Sequence, residues 1–186
     1  MTDKEDLDNT LSGSNQMSRL WAGWRLPYIR TDDDERSKGH AGGLTLFEGI
    51  EQSGLGDEVT YVLWRGEHTF AVLNAYPYTS GHLLVLPKAA AQNLEDLSAE
   101  AFTELWQGVR MGVQAVKAEY LPEGVNVGMN LGRASGAGVP DHMHVHVLPR
   151  WSGDTNFITS VAEARVLPES LLDSWERLRA AWPESS

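Results

Sequence analysis

The chain has 186 residues, no cysteine, a formal net charge of -11, and 41% hydrophobic and 22% charged residues. This composition excludes disulfide bonds and thiolate metal sites, and no apolar run approaches the roughly 20 residues that a membrane span needs. The acidic balance argues against a general nucleic-acid binder, whose footprint would be basic. We therefore expect one globular domain in a soluble, cytoplasmic protein that binds neither nucleic acid nor membrane.

The N-terminal part of the chain changes composition several times. Residues 1–17 are polar, acidic and without the apolar segment of a secretory signal, which predicts a flexible tail before a single domain at residues 18–186. Three aromatic residues within positions 19–28 predict a segment that packs on the domain or on another subunit. Residues 31–43, rich in acidic residues, Ser and Gly, predict a surface loop, and residues 44–50 a short helix or strand end.

Two short apolar runs, at residues 61–65 and 69–73, predict a β-hairpin because a three-residue Gly-containing turn separates them. Asn74 ends the second run. A third strand is predicted from His82 to Lys88. Taken alone, Asn74 and His82 are ordinary residues of a turn and a strand start.

Two amphipathic helices are predicted in the second half of the chain. Ser98 provides a partial N-cap for the first, because Ala101 replaces the Glu or Gln of a full capping box. A second helix is predicted at residues 168–182 and is expected to pack on the domain or across a subunit boundary. The first helix is expected to bury one apolar stripe, Trp106 included, with spacings of three and four: Phe102, Leu105, Trp106, Val109, Val113 and Val116.

Residues 125–131 predict a strand that leads into a glycine-rich loop at residues 132–140. Glycine lets backbone amides approach an anion closely, although such a loop alone is a weak signal. Its position strengthens the prediction of an anion site, because the loop runs directly into the segment with the most unusual composition in the chain.

That segment alternates three of the six histidines, His142, His144 and His146, with apolar residues. In an extended strand this period of two places all three imidazoles on one face. A plain solvent-facing strand would carry mixed polar residues, so the pattern indicates a chemical site. Such a site could bind zinc or could use a neutral imidazole as a nucleophile. The spread of the three rings along a strand, without an alternating carboxylate, favours the nucleophile.

The run from His142 to Leu148 resembles the histidine-triad (HIT) signature, His-φ-His-φ-His-φ-φ with φ apolar, of nucleotide hydrolases and nucleotidyl transferases. The resemblance extends from about residue 45 to 157. It implies an α+β fold with an antiparallel sheet of about five strands, one long helix and a C-terminal helix, assembled as a homodimer or larger homo-oligomer. Many relatives hold a Cys-x-x-Cys zinc site near residues 44–50. Since this chain has no cysteine, no structural zinc is expected.

The same resemblance implies residue roles. His144 would attack the α-phosphorus, while His142 and His146 would orient it and assist protonation of the leaving phosphate. Asn74, eight residues before His82, would bind ribose hydroxyls. Gly138-Val139-Pro140 replaces the Gly-Gln-Ser or Gly-Gln-Thr of relatives, so Ser135 or a main-chain amide would take over the missing side-chain contact. His82 and Lys88 would complete the pocket, and Trp151 would stack on the base or fill the core. The phosphates would contact Asn130, Gly136, Ala137 and Gly138. The base would lie in an apolar slot formed by Val72, Leu84 and Phe47.

The acceptor of the transferred group remains open at this point. The Gly-Ala-Gly loop, the Pro149-Arg150-Trp151 ending and the long flanks resemble the bacterial branch of the family that converts diadenosine tetraphosphate and phosphate to ATP and ADP. His146 points instead to hydrolases, because the fungal phosphorylases and hexose uridylyltransferases have Gln there. The expected ligands are adenine nucleotides, dinucleoside polyphosphates, inorganic phosphate and Mg²⁺ carried by the substrate, with no covalent cofactor. The alternatives are a hydrolase that releases AMP, a zinc hydrolase and a non-catalytic nucleotide-binding regulator.

Overall fold

A computed structural model describes residues 43–155 and 167–184. Within these ranges no helix is both long enough and apolar enough to cross a bilayer. Two short 3₁₀ turns, Leu94–Asp96 and Arg133–Ser135, lie between the main elements. The described helices are α1 (Leu46–Glu51), α2 (Asp57–Thr60), α3 (Ala99–Tyr120) and α4 (Leu171–Ala180), and the strands are β1 (Val62–Arg65), β2 (Thr69–Leu73), β3 (Leu83–Pro87), β4 (Gly124–Met129) and β5 (Val145–Arg150).

Three predicted features lie outside the described residues. They are the tail at residues 1–17, the aromatic segment at residues 19–28, and the loop from residue 31 except for its last position, 43. The predicted domain boundary between residues 17 and 18 therefore stays a prediction.

The five strands form one antiparallel sheet in the order β1-β2-β3-β5-β4, which confirms the predicted α+β fold. The predicted hairpin is β1 and β2, with Arg65 opposite Phe70. Strand β5 lies between β3 and β4, and its His146 pairs with Leu84 on one side and Gly128 on the other. The histidine segment therefore enters the interior of the sheet rather than an edge.

The two faces of the sheet bury different residues. Met143, Val145 and Val147 belong to the larger core cluster, which α3 covers with residues such as Leu105 and Val116. The opposite face carries the histidines and a smaller buried cluster: Phe47, Val62, Phe70, Val72, Leu84 and Leu86. The predicted alternation of apolar and imidazole side chains is thus confirmed.

The buried face of α3 differs from the predicted stripe. Trp106 and Phe102 are 38% and 40% exposed, so the prediction that they lie in the core is wrong. The helix instead approaches β3 through glycine: a Cβ atom at Gly108 would lie 2.9 Å from Cγ1 of Val85. Glycine is not counted as a hydrophobic residue, so the apolar pattern does not include Gly108. The predicted buried face of α3 therefore differs from the observed one.

Helix α4 packs beside β1, as expected for a helix docked on the domain. Its N-terminus has a complete capping box formed by Ser170 and Asp173. Leu178 is fully buried, whereas Leu172 is 46% exposed. On the same helix, Nε1 of Trp175 donates to the Val62 carbonyl at 2.9 Å, and the Arg179 guanidinium donates to the Leu63 carbonyl. These side chains cover the outer edge of β1.

Candidate active site

The three histidines of the alternating segment lie at the start of β5. The regular strand begins at Val145, so only His146 is a strand residue, while His142 and His144 occupy the segment that leads into it. Met143 hydrogen-bonds through its N–H to the Ala91 carbonyl at 2.7 Å, which fixes this segment beside the chain that follows β3. The observed strand therefore does not include His142 and His144, contrary to the prediction of one strand through the whole triad, although the side chains alternate as expected.

His144 has a defined protonation pattern. Its Nδ1 lies 2.9 Å from the His142 carbonyl oxygen. Since a carbonyl can only accept, Nδ1 carries the proton, and Nε2 of the neutral ring holds the lone pair. Burial lowers the pKa of His144, and the hydrogen bond to His142 opposes that shift only in part. The ring is therefore neutral near pH 7, as a nucleophile must be.

His82 and His146 are joined by a hydrogen bond whose direction can be assigned. The Tyr78 backbone N–H donates to Nδ1 of His82 at 3.1 Å, so the His82 proton lies on Nε2. That Nε2 is 2.9 Å from Nδ1 of His146, to which it donates. The proton of a neutral His146 must then be on its own Nε2. The His146 ring lies edge-on to His144, with centroids 5.0 Å apart, so this proton is carried next to the nucleophile.

Asn74 lies beside His82, a contact that was not predicted from the sequence. Its Nδ2 lies 3.3 Å from Nδ1 of His82, and its Oδ1 accepts the Tyr76 N–H at 3.0 Å. The side chain thus orients His82 in the described structure. Its predicted contact with ribose stays a prediction.

The His142 ring is buried, and protein atoms contact both of its nitrogens. It is fully buried, with Nε2 2.8 Å from the Pro87 carbonyl and Nδ1 2.8 Å from Oγ1 of Thr45. Burial lowers the pKa of His142, while the hydrogen bond to Pro87 and the charge of Glu48 oppose the shift. Both ring nitrogens bond within the protein, which supports the predicted orienting role; the predicted assistance to protonation of the leaving phosphate stays a prediction.

The residues predicted to form a base slot lie together beneath the triad. Phe47, Val72 and Leu84 are 6%, 2% and 4% exposed and share the small cluster on this face. The Phe47 ring centroid lies 5.3 Å from that of His142 and 5.4 Å from that of His144. Helix α1 thus contributes directly to the floor of the site.

The glycine-rich loop also reaches the triad. Met129 pairs with Val145 at the end of the ladder, which places Asn130 one position further, at the level of His144. In the loop itself, Oγ of Ser135 donates to the Gly132 carbonyl at 2.7 Å, so its proton is already used. Gly136 has a φ of 86°, which favours glycine, and directs the chain through Ala137 and Gly138 towards the histidines.

Two predicted contributors are less favourably placed. Lys88 Nζ lies 3.5 Å from Oε1 of Glu51, so its charge is partly balanced. Trp151 packs edge-on against Tyr120 of α3, with ring centroids 6.2 Å apart. Since α3 covers the face opposite the histidines, Trp151 is not brought to the triad, and this contact favours the core-filling alternative.

Sequence reasoning missed Thr45, Glu48 and Tyr78. Thr45 and Glu48 have the Thr-x-x-Glu spacing of a capping box, which was available as a signal but suggested no link to a histidine. Tyr78 acts through its backbone amide, for which no side-chain signal exists.

The structure gives no support for a metal centre in the part of the chain that it describes, where no three His, Asp or Glu side chains group to hold an ion. The region of the Cys-x-x-Cys site of relatives holds Thr45 and Glu48. Oγ1 of Thr45 is 2.8 Å from Nδ1 of His142 and 3.0 Å from Oε2 of Glu48. Ligands around Zn²⁺ at about 2.0–2.2 Å stand roughly 3.3 Å apart, so these hydrogen-bonded groups do not fit zinc.

Comparison with known proteins agrees with the resemblance to the histidine-triad family. Residues 57–153 match the HIT domain family. The chain is 37% identical over 187 residues to the AP-4-A phosphorylase of Mycobacterium tuberculosis, which covers 97% of this chain and 95% of the relative. It is 34% identical over 93 residues, half of each chain, to the asymmetrical bis(5'-nucleosyl)-tetraphosphatase of Schizosaccharomyces pombe. A Zn-bound histidine triad family protein from Mycobacterium smegmatis superposes with a TM-score of 0.58 and 28% identity, over 73% of this chain and 90% of the other.

Proposed function

Because this chain belongs to the HIT family, we propose that it transfers nucleotidyl groups from dinucleoside polyphosphates through a covalent intermediate on His144. The observation that carries the proposal is the neutral, buried His144, whose Nδ1 proton is fixed by the His142 carbonyl. We propose phosphorolysis of diadenosine tetraphosphate to ATP and ADP. The similarity to AP-4-A phosphorylase over almost the entire chain supports this choice.

In the first step, the Nε2 lone pair of His144 attacks the α-phosphorus. A P–N bond forms and the P–O bond to the polyphosphate breaks, so ATP leaves when the substrate is diadenosine tetraphosphate. The positive charge that develops on the ring is stabilised by the hydrogen bond from Nδ1–H to the His142 carbonyl. His146, with its proton on Nε2, would donate to an oxygen of the leaving phosphate.

In the second step, an oxygen of inorganic phosphate attacks the same phosphorus. The P–N bond breaks, ADP is released, and Nε2 of His144 recovers its lone pair. Attack by water in place of phosphate would release AMP, so the two outcomes differ only in the acceptor admitted to the site.

Other proposed contacts follow from where the fold places each residue. The amides of residues 136–138 and the side chain of Asn130 would bind phosphoryl oxygens. Asn74 would contact ribose, and the base would lie against the cluster that contains Phe47. Lys88 and Mg²⁺ carried by the substrate would balance the charge of the polyphosphate.

We further propose that the protein acts in the cytoplasm as a homodimer or larger homo-oligomer. The outer edge of β4 supports this, since Val127 is 44% exposed there and Leu121, at the end of α3, is 81% exposed. An exposed edge strand flanked by apolar residues favours pairing with a second copy. Sedimentation of wild-type protein and the Val127→Glu variant tests the assembly: a monomer mass for the wild-type protein would contradict the oligomer, and equal oligomer masses for both would contradict the role of the β4 edge.

Hydrolysis is the second candidate. His146 and the similarity to the S. pombe tetraphosphatase favour it. The two reactions are separated by supplying diadenosine tetraphosphate with and without inorganic phosphate and resolving the products by chromatography. We expect ADP that depends on phosphate. AMP formed without phosphate would instead indicate a hydrolase, and stoichiometric nucleotide binding without turnover would indicate a regulator.

A further inference from the structure

Helix α1 connects to the triad through its N-terminal cap. Oγ1 of Thr45, the N-cap residue, lies 2.8 Å from Nδ1 of His142, although the two residues are 97 positions apart. Glu48 closes the capping box: its Oε2 accepts the Thr45 N–H at 2.8 Å and lies 3.0 Å from Oγ1 of Thr45. The cap thus contacts a histidine whose two ring nitrogens both bond within the protein.

The same cap joins three segments of the chain. Oε1 of Glu48 accepts the Ala90 N–H at 3.1 Å, in the chain that follows β3. At the end of β3, the Pro87 carbonyl accepts the Nε2 proton of His142 at 2.8 Å. The His142 ring is therefore held between α1 on one side and the end of β3 on the other. Loss of either contact would free the ring to rotate.

The positions of the protons on His142 and Thr45 depend on whether His142 is neutral or charged. With His142 neutral, its proton is on Nε2, which donates to the Pro87 carbonyl, so the Thr45 hydroxyl must donate to Nδ1. With His142 charged, Nδ1 donates to Thr45, whose proton then turns to Glu48. The hydroxyl group serves both states because it can donate and accept. A methyl group in its place would serve neither.

We propose that Thr45 and Glu48 are positioning residues for nucleotidyl transfer, an inference that rests on the proposed function. They fix the ring of His142, and with it the carbonyl that binds Nδ1–H of His144, so that Nε2 of His144 remains aimed at phosphorus. In this region many relatives hold a Cys-x-x-Cys zinc site. Here two residues with the same spacing of three connect the helix to the histidine by direct hydrogen bonds.

An ordinary N-cap role is the alternative, and the chain offers a matched control. Ser170 and Asp173 form an equivalent capping box on α4, whose Ser170 cap contacts no histidine of the triad. Ser170→Ala removes a cap of the same type, which costs on the order of 1 kcal/mol of stability. If Thr45 acted only as a cap, the Thr45 and Ser170 variants would behave alike.

The test compares Thr45→Val, Thr45→Ser, Glu48→Gln and Ser170→Ala in the full chain, with diadenosine tetraphosphate and phosphate as reactants. We expect Thr45→Val to lower kcat about tenfold or more with little change in KM, and Glu48→Gln to lower it less. Thr45→Ser keeps the hydroxyl and should rescue kcat to near the wild-type value. Ser170→Ala should leave kcat unchanged while lowering the melting temperature.

Nitrogen-15 spectra of the histidine rings provide a readout that needs no substrate. In Thr45→Val and not in Ser170→Ala, the Nδ1 signal of His142 should shift as its hydrogen bond is lost. An unchanged spectrum, or equal losses of kcat in Thr45→Val and Ser170→Ala, would overturn the proposal. If wild-type protein does not turn over the dinucleotide, the proposed function fails, and the spectra still decide whether the cap holds His142.

Discussion

Nε2 of His82 lies 2.9 Å from Nδ1 of His146, and the direction of this hydrogen bond is fixed by a backbone amide. Because the Tyr78 N–H occupies Nδ1 of His82, the His82 ring can only donate from Nε2. The donor thereby selects the tautomer of His146 whose proton is on Nε2. A histidine outside the triad thus determines which nitrogen of His146 carries the proton.

Replacement of His82 should therefore weaken the hydrogen bond that His146 is proposed to donate to the leaving phosphate. We expect His82→Phe to lower kcat by about 10²-fold, because His146 would no longer be held in one tautomer beside the leaving phosphate. The measurement is steady-state turnover of diadenosine tetraphosphate. His68→Gln, in the β1–β2 turn, is the control and should retain activity. A His82 variant as active as the control would contradict the assigned direction of the hydrogen bond.

Replacement of His144, the proposed nucleophile, should lower kcat more than replacement of His82. His144→Ala should lower kcat by at least about 10³-fold, because the variant lacks the buried, neutral imidazole that is the proposed nucleophile. Wild-type protein quenched during turnover should carry an adenylyl adduct on His144, which peptide mass spectrometry detects. An adduct on another residue, or substantial turnover by His144→Ala, would assign the nucleophile elsewhere.

The enzyme should lose activity at a lower pH than the pH at which free histidine becomes protonated. Burial lowers the pKa of His144, so the ring stays neutral below the ordinary histidine value of about 6.5 and becomes charged only as the pH falls through the lowered pKa. We expect the acid limb of kcat/KM to lie below pH 6.5. A profile of kcat/KM from pH 4.5 to 8 measures it. Half-maximal activity above pH 6.5 would show that the ring is not desolvated as described.

Close packing of α3 on the sheet predicts opposite effects for the same substitution at two glycines. A Cβ atom at Gly108 would lie 2.9 Å from Cγ1 of buried Val85 and 3.0 Å from the Trp64 ring. Gly108→Ala should therefore lower the free energy of unfolding by about 1–2 kcal/mol, despite the better helix propensity of alanine. Gly49→Ala in α1 meets no atom within 4 Å and should raise it slightly. Urea denaturation distinguishes the two, and stabilisation by Gly108→Ala would contradict the packing.

The parts of the fold that the sequence predicted are those with a strong local signal. The alternation around His144 indicated which face each side chain would occupy, whereas the contact between Asn74 and His82 was not predicted. The exposure of Trp106 was not predictable in this way, because glycine positions on α3 decide which face packs. The burial of both ring nitrogens of His142 depends on Thr45, almost a hundred residues away. Contacts of this kind depend on tertiary structure, which local periodicity does not describe.

The two ends of the sheet differ in what they can bind. At β1, Trp175 and Arg179 of α4 occupy carbonyls that a further strand would need. At β4, the last strand in the sheet order, none of the described strands pairs with the outer edge, and Val127 is exposed there. If two copies joined through β4, each remaining end would be a blocked β1. Growth would stop at ten strands, which protects a protein with an exposed strand from polymerising into fibrils.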